Sequence, residues 1–160
     1  MIELLVGNIA SGKSTYAKQK AADECIVIND DAIVSMVHGN EPTFYKVRLK
    51  TLYKSIENHI VYTAIAMGKD VIIDKGVCVK LDSRRRWIEV ARSLDTKIQA
   101  TVFPFEDCSQ HATRRNLHDS RGYDYGYWYK IAKFFELQYI PPSYLEGFDK
   151  IINLSIEDIL

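Results

Sequence analysis

The sequence predicts an α/β fold: a five-stranded, mainly parallel sheet with helices on both faces. Three observations predict it. Short runs rich in Ile and Val recur at 2–6, 25–28, 70–74, 97–103 and 148–154. Several are continuously apolar, as strands buried on both faces are. Segments of helical periodicity separate them, and this alternation implies parallel pairing through helical crossovers. Finally, the first run leads straight into "GNIASGKST" (7–15), a strand, loop and helix in succession.

Each element has its own signal. "IELLV" (2–6) is an apolar strand, and "KSTYAKQKAADE" (13–24) is rich in helix formers. "CIVI" (25–28) is the second strand. "AIVSMV" (32–37) follows as a short helix, with Asn29, Asp30 or Asp31 as its N-cap. The longest helix is expected from about Tyr45 to Met67. Leu49, Leu52, Tyr53, Ile56, Ile60, Ala64 and Met67 fall at helical spacing, and Gly68 ends it. "DVIID" (70–74) is the third strand. "DSRRRWIEVARSL" (82–94) is a helix with Asp82 or Ser83 as candidate N-cap. "KIQATVF" (97–103) is the fourth strand, helices are expected over 106–118 and 126–139, and "FDKIINL" (148–154) is the fifth strand. There is no repeat, low-complexity tract or linker, so a single domain over 1–160 is expected.

Composition narrows the function classes. A chain of 160 residues with 47% hydrophobic and 26% charged residues is ordinary for one globular domain. The formal net charge is zero, so no global field draws it to nucleic acid or a membrane, and any polyanion site must be local. Cys25, Cys78 and Cys108 are widely spaced with no CxxC pair, which suggests neither a zinc site nor a disulfide framework. The first apolar run is too short for a signal peptide, and no stretch approaches the roughly 20 apolar residues that span a bilayer. A cytoplasmic protein without a membrane partner is expected, and no protein partner is evident.

The loop after the first strand carries the clearest chemistry. Gly7 and Gly12 allow a tight turn that aims several N–H groups at one point. With the N-terminus of the next helix, these groups form an anion nest. In this pattern Lys13 reaches the β/γ-phosphates of a nucleotide, and the Ser14 hydroxyl reaches Mg²⁺. Gly7, Ala10, Ser11, Gly12, Lys13, Ser14 and Thr15 are therefore the expected phosphate cradle. The motif predicts nucleotide binding and is silent on the reaction.

Carboxylates follow two strands. Asp30 and Asp31 lie just beyond the second strand, at the end of the sheet that holds the loop. One of them can accept a proton from a hydroxyl that attacks the γ-phosphate, and Asp30 is favoured. Asp74 ends the third strand, where an acidic group stands near Mg²⁺ or its waters. Lys75 follows it, where an ATPase motor often has a water-polarising Glu, so transfer to a bound acceptor is the better expectation.

Two basic stretches remain. Arg114, Arg115 and Arg121 span a helix end and a loop, and Arg121-Gly122 opens a segment suited to a lid over about 115–126. Arg115 and Arg121 are the expected phosphate contacts, with Arg121 acting as charge shifts. Arg114 is expected to face solvent. Arg84, Arg85 and Arg86 crowd the first turn of a helix, where positive charge opposes the dipole. A nearby polyanion could offset this, as could simple solvation. Tyr123, Tyr125, Tyr127, Trp128 and Tyr129 could stack on bases or pack in a core. His38, His59, His111 and His118 show no metal-ligand spacing.

Taken together, "GNIASGKSTYA", "INDDAI", "DVIIDKG…SRRRWI", "RRNLHDSRG" and "YIPPSYLEGFDKIINL" resemble the phage-type 5′-hydroxyl polynucleotide kinase domain. They also look like the wider set of small P-loop kinases around it, AAA_33-like and zeta-toxin-like. The resemblance spans nearly the whole chain. It implies that Lys13 and Ser14 bind ATP phosphates and Mg²⁺, that Asp30 is the general base, and that Asp74 lies on the acceptor or metal side. It also implies that Arg115 and Arg121 are lid arginines. Two departures fall on the acceptor side. Ile33 stands where the family has an acceptor-phosphate Arg, and Lys75 stands where a Thr is common. Lys75 or the arginines at 84–86 are the expected replacements for the lost charge, or else the acceptor differs; Lys75, Arg85 and Arg86, with Asp30, Asp31 and Asp74, are the expected acceptor site.

The leading expectation is an ATP- and Mg²⁺-dependent kinase acting on a hydroxyl, first of all the 5′-OH of a polynucleotide. A kinase of a modified DNA base, nucleoside or small metabolite is the second. A non-catalytic nucleotide switch or partner-dependent ATPase is the third.

Overall fold

The computed structural model describes residues 1–41, 44–119 and 121–158. Five strands, β1 (Ile2–Val6), β2 (Ile26–Asn29), β3 (Val71–Asp74), β4 (Ile98–Val102) and β5 (Lys150–Asn153), form one sheet in the order β2-β3-β1-β4-β5. Every pairing is parallel. Six helices lie among the described residues: α1 (Lys13–Ala22), α2 (Asp30–Val37), α3 (Lys50–Ala66), α4 (Leu81–Ser93), α5 (Cys108–Leu117) and α6 (Tyr125–Gln138).

Strand side chains alternate between two cores. Leu4, Val6, Ile73 and Ala100 pack on one side with Val61 of α3 and Trp87 and Ala91 of α4. Leu5 and Ile72 pack on the other with Ala17 of α1 and Phe103. A third cluster, Ile33, Val34 and Tyr53, joins α2 to α3. The connection after β1 runs to β2 on one side of it, and the connection after β3 crosses to β4 on the other. A crevice opens at the carboxyl end of such a strand, and the glycine loop emerges there.

Two local expectations change, and a choice among three caps is resolved. The long helix begins at Lys50, with Val47–Leu49 forming a separate 3₁₀ turn. Its buried stripe is Tyr53, Glu57, Val61 and Ala64, while Leu52 and Met67 are exposed. The cap of α2 is Asn29, whose side chain accepts from the Ala32 N–H. Helix α4 starts one residue earlier than expected: Lys80 is its N-cap without a side-chain bond, and neither Asp82 nor Ser83 caps it.

Candidate active site

The loop after β1 is shaped by sterics. A Cβ on Gly7 would stand 2.7 Å from Ser11 Oγ and 2.8 Å from Phe103 Cβ, so only glycine fits without a shift. Ala10 (φ 48°) and Gly12 (φ 95°) adopt left-handed backbone, which turns successive N–H groups toward one concavity. Asn8, fully buried, donates to the Ala132 carbonyl at 3.0 Å and accepts from the Ile9 N–H at 2.8 Å. The loop is thereby tied to α6. Lys13 is buried and folds back, donating to the Gly7 carbonyl at 3.0 Å, to Ser11 Oγ at 3.2 Å and to the Asn8 carbonyl. Burial lowers its ammonium from 10.5 to about 8, with Asp74 and Cys78 opposing and Arg115 adding to the fall.

The next residue connects loop to sheet. Ser14 Oγ donates to Asp74 Oδ2 at 2.8 Å. Asn29 Nδ2 donates to the same oxygen at 3.2 Å while its own oxygen caps α2. Strand register explains the second contact, since Asn29 is the partner of Asp74 across β2 and β3. A hydroxyl and a carboxylate oxygen this close suit Mg²⁺, which takes hard oxygen ligands and keeps several waters. Ser14 and Asp74 are the residues that would hold it.

At the loop lies a cleft of about 590 Å³ lined by Ala10 to Thr15 together with Lys18, Glu106, Arg114, Arg115, His118 and Ile156. Arg114, expected to face solvent, keeps 43% of its side chain exposed. It lines this cleft and pairs with Glu106. The Arg115 guanidinium sits 4.8 Å over the buried Trp128 ring, which fixes its plane beside the loop. Arg121 reaches from the lid segment to Asp31 and pairs with its carboxylate. Within the expected lid at 115–126, Ser120 lies outside the described residues.

A second wall, outside the lining of that cleft and beginning where β2 and β3 end, is a chain of alternating charges. Lys75 Nζ sits 2.7 Å from Asp30 Oδ1 and 2.7 Å from Glu57 Oε1. The other Glu57 oxygen takes Arg86 Nη1 at 2.7 Å, and Arg86 also donates to Asn58. Glu57 is only 1% exposed, on the buried stripe of α3. Burial alone would raise its carboxyl, but Lys75 and Arg86 overcome this and hold it low. For Lys75, burial would lower the ammonium, and Asp30 and Glu57 reverse that, so it stays charged. Asp30 is half open to solvent, yet desolvation by the wall lifts its carboxyl above the ordinary range, against Lys75 and with Glu57. Ile33 is buried in the α2–α3 cluster.

The arginine triplet divides. Arg84 is fully buried and bonds Glu146 with Nε and Nη2, each at 2.8 Å, and the carbonyls of Cys78 and Val79. It cannot meet a polyanion at the surface. Arg85 is exposed, 3.5 Å from Asp82. The dipole penalty at this helix start is offset by three carboxylates of the chain itself.

Comparison with known families gives a match over residues 2–123 to an AAA domain, the family AAA_33. The chain belongs to this family. The AAA_33 match covers the glycine loop, the carboxylates after β2 and β3 and every cleft-lining residue except Ile156, and it stops within the expected lid segment. No curated protein matches the sequence. Among solved structures, a candidate kinase from Chloroflexus aurantiacus is similar at TM-score 0.67 and 14% identity, over 96% of this chain and 83% of that one. A gluconokinase from Sinorhizobium meliloti is similar at TM-score 0.59 and 14% identity, over 98% and 86%. Chaetomium thermophilum Kti12 in complex with ADP-AlF3 is similar at TM-score 0.59 and 15% identity, over 99% and 90%. The AAA_33 chain thus has a P-loop kinase-like fold.

Several residues of this AAA_33 site gave no signal as motifs. Lys18, Glu106, His118 and Ile156 enter the cleft only through folding. Glu57 had one legible sign, a carboxylate on the apolar stripe of a helix, which demands a buried cation. The aromatic segment is mixed. Trp128 is buried, Tyr123 stacks on Tyr127 at 4.1 Å, and the four tyrosines stay partly open.

Proposed function

We propose that this protein is an ATP- and Mg²⁺-dependent kinase that phosphorylates a hydroxyl of an uncharged acceptor, a nucleoside or small polyhydroxylated metabolite. The observation that carries the reading is the neighbouring placement of Asp30 and the Ser14–Asp74 pair at the ends of β2 and β3. A carboxylate with a raised proton affinity thus stands beside the phosphate loop. The acceptor oxygen attacks the γ-phosphorus, the bond from γ-phosphorus to the β,γ-bridging oxygen breaks, and ADP leaves. The acceptor proton passes to Asp30. The loop N–H groups and Lys13 hold the phosphates, and Arg115 and Arg121 balance charge as the lid closes. Mg²⁺, when bound, neutralises phosphate charge at Ser14 and Asp74.

The acceptor follows from charge. A 5′-hydroxyl polynucleotide end is supported by the resemblance of the motifs. Against it, Lys75 and Arg86 spend their charge on Glu57 and Asp30, Arg84 is buried, and Ile33 is apolar. Of the basic residues expected there, Arg85 stays open, beside Asp82. Transfer of labelled γ-phosphate from ATP should be measured against nucleosides, polyols and sugars, modified duplex DNA, and DNA and RNA 5′ ends. Label in a small neutral acceptor is expected. Label confined to polynucleotide ends would return the first acceptor to the lead, and no transfer to any acceptor would sink the kinase reading.

A further inference from the structure

Glu57 stands against the proposed base, its carboxyl beside that of Asp30, and its burial needs an account. A carboxylate that is 1% exposed is tolerated only with cations and hydrogen bonds around it. Both its oxygens are engaged, one by Lys75 and one by Arg86, each at 2.7 Å. Lys75, itself almost fully buried, has its remaining direction fixed by that bond and presents its ammonium to Asp30. The Trp87 ring lies 5.9 Å from the Lys75 ammonium and 4.3 Å from the Arg86 guanidinium, which packs both cations from one side.

We propose that Glu57 is a positioning residue: by its own contact with Asp30 and through Lys75, it fixes the orientation and proton affinity of the Asp30 carboxylate. The inference rests on the kinase reading, in which Asp30 takes the acceptor proton. Without the Glu57 charge, Lys75 would turn its whole charge on Asp30 and make it a weaker base. Without Lys75, Asp30 would lose its anchor and be protonated at higher pH. Asp31, paired with Arg121, is its neighbour along α2. Cys78 stands close in the turn after β3, where burial pushes its thiol up to about 12, so it is uncharged.

The test is the pH dependence of Asp30 in Glu57→Gln and Lys75→Met. Both variants should lose about tenfold or more in kcat, while KM for ATP moves less than about twofold. The acid limb of kcat should move to lower pH in Glu57→Gln and to higher pH in Lys75→Met. Carbon-13 NMR titration of the Asp30 carboxyl, assigned with Asp30→Asn, reads the same opposed shifts with no acceptor present. Should Glu57→Gln fold poorly, Glu57→Gln with Arg86→Gln removes one charge of each sign and should still lower the Asp30 titration. An unmoved titration in a folded Glu57 variant, or shifts of the same sign, would overturn the proposal. Opposed NMR shifts in a protein that transfers no phosphate would overturn the kinase reading and leave the coupling standing.

Discussion

Lys13 shows how one residue can report on the whole site. Its ammonium is buried among the loop's own carbonyls, and burial brings it to about 8. The unfolded chain therefore binds more protons than the folded one between about pH 8 and the ordinary value near 10.5, so stability gains from this group as pH rises through that window. Phosphates arriving at the loop raise its proton affinity again. Calorimetry of ATP binding at about pH 8.5 in two buffers of different ionisation enthalpy should reveal proton uptake, and affinity should weaken as pH rises further. Lys13→Ala should lose both the uptake and phosphoryl transfer while keeping its fold. The aspartates differ in the same way. Asp30→Asn should lower kcat by about 10²-fold or more, because the amide keeps the shape but cannot take a proton. Asp31→Asn should change kcat far less, since Asp31 faces Arg121 rather than Lys75. Reversed effects would move the base by one position.

Helix α4 is held at its start by a contact far along the chain. Arg84 is stapled to Glu146 in the 3₁₀ turn Tyr144–Glu146, and Ser143 closes that turn with a capping box. Breaking a buried pair on one side strands a charge, at about 3–5 kcal/mol. Glu146→Gln should therefore lower the thermal midpoint by about 10 °C, and Arg84→Met with Glu146→Leu should recover much of it. A melt of Glu146→Gln unchanged from the parent would mean the pair adds nothing. Helix α3 teaches a related lesson. Its periodicity was legible, but its apolar residues outnumber the places on the buried face. The sheet core took Val61 and Ala64, helix α2 took Tyr53, the cations Lys75 and Arg86 took Glu57, and Leu52 and Met67 were left to solvent.

At the scale of the molecule, charge is balanced twice. The sequence has 21 basic and 21 acidic residues, and the wall of Asp30, Glu57, Lys75 and Arg86 repeats that balance locally. A protein that grips a polynucleotide loses affinity with salt by nearly one log–log unit per phosphate contacted. The proposed uncharged acceptor should show a KM almost independent of salt, whereas KM for ATP should rise with it. KM for both substrates across a series of salt concentrations decides the matter. A steep slope for the acceptor would restore the polyanion.

The sequence by itself determined the strand order along the chain, the phosphate loop and the carboxylates that follow β2 and β3. These rest on short-range physics: strand apolarity, glycine sterics and the spacing of Lys13 and Ser14. Only the tertiary structure decided what the basic residues do. Arg84, Arg86 and Lys75 read in the sequence as cations awaiting a ligand, and each proves to face a carboxylate brought from another element. Glu57 and Glu146 lie 18 residues before Lys75 and 62 residues beyond Arg84. A charge pair depends on distance in space, and no local pattern in the chain records which distant partner folding will supply.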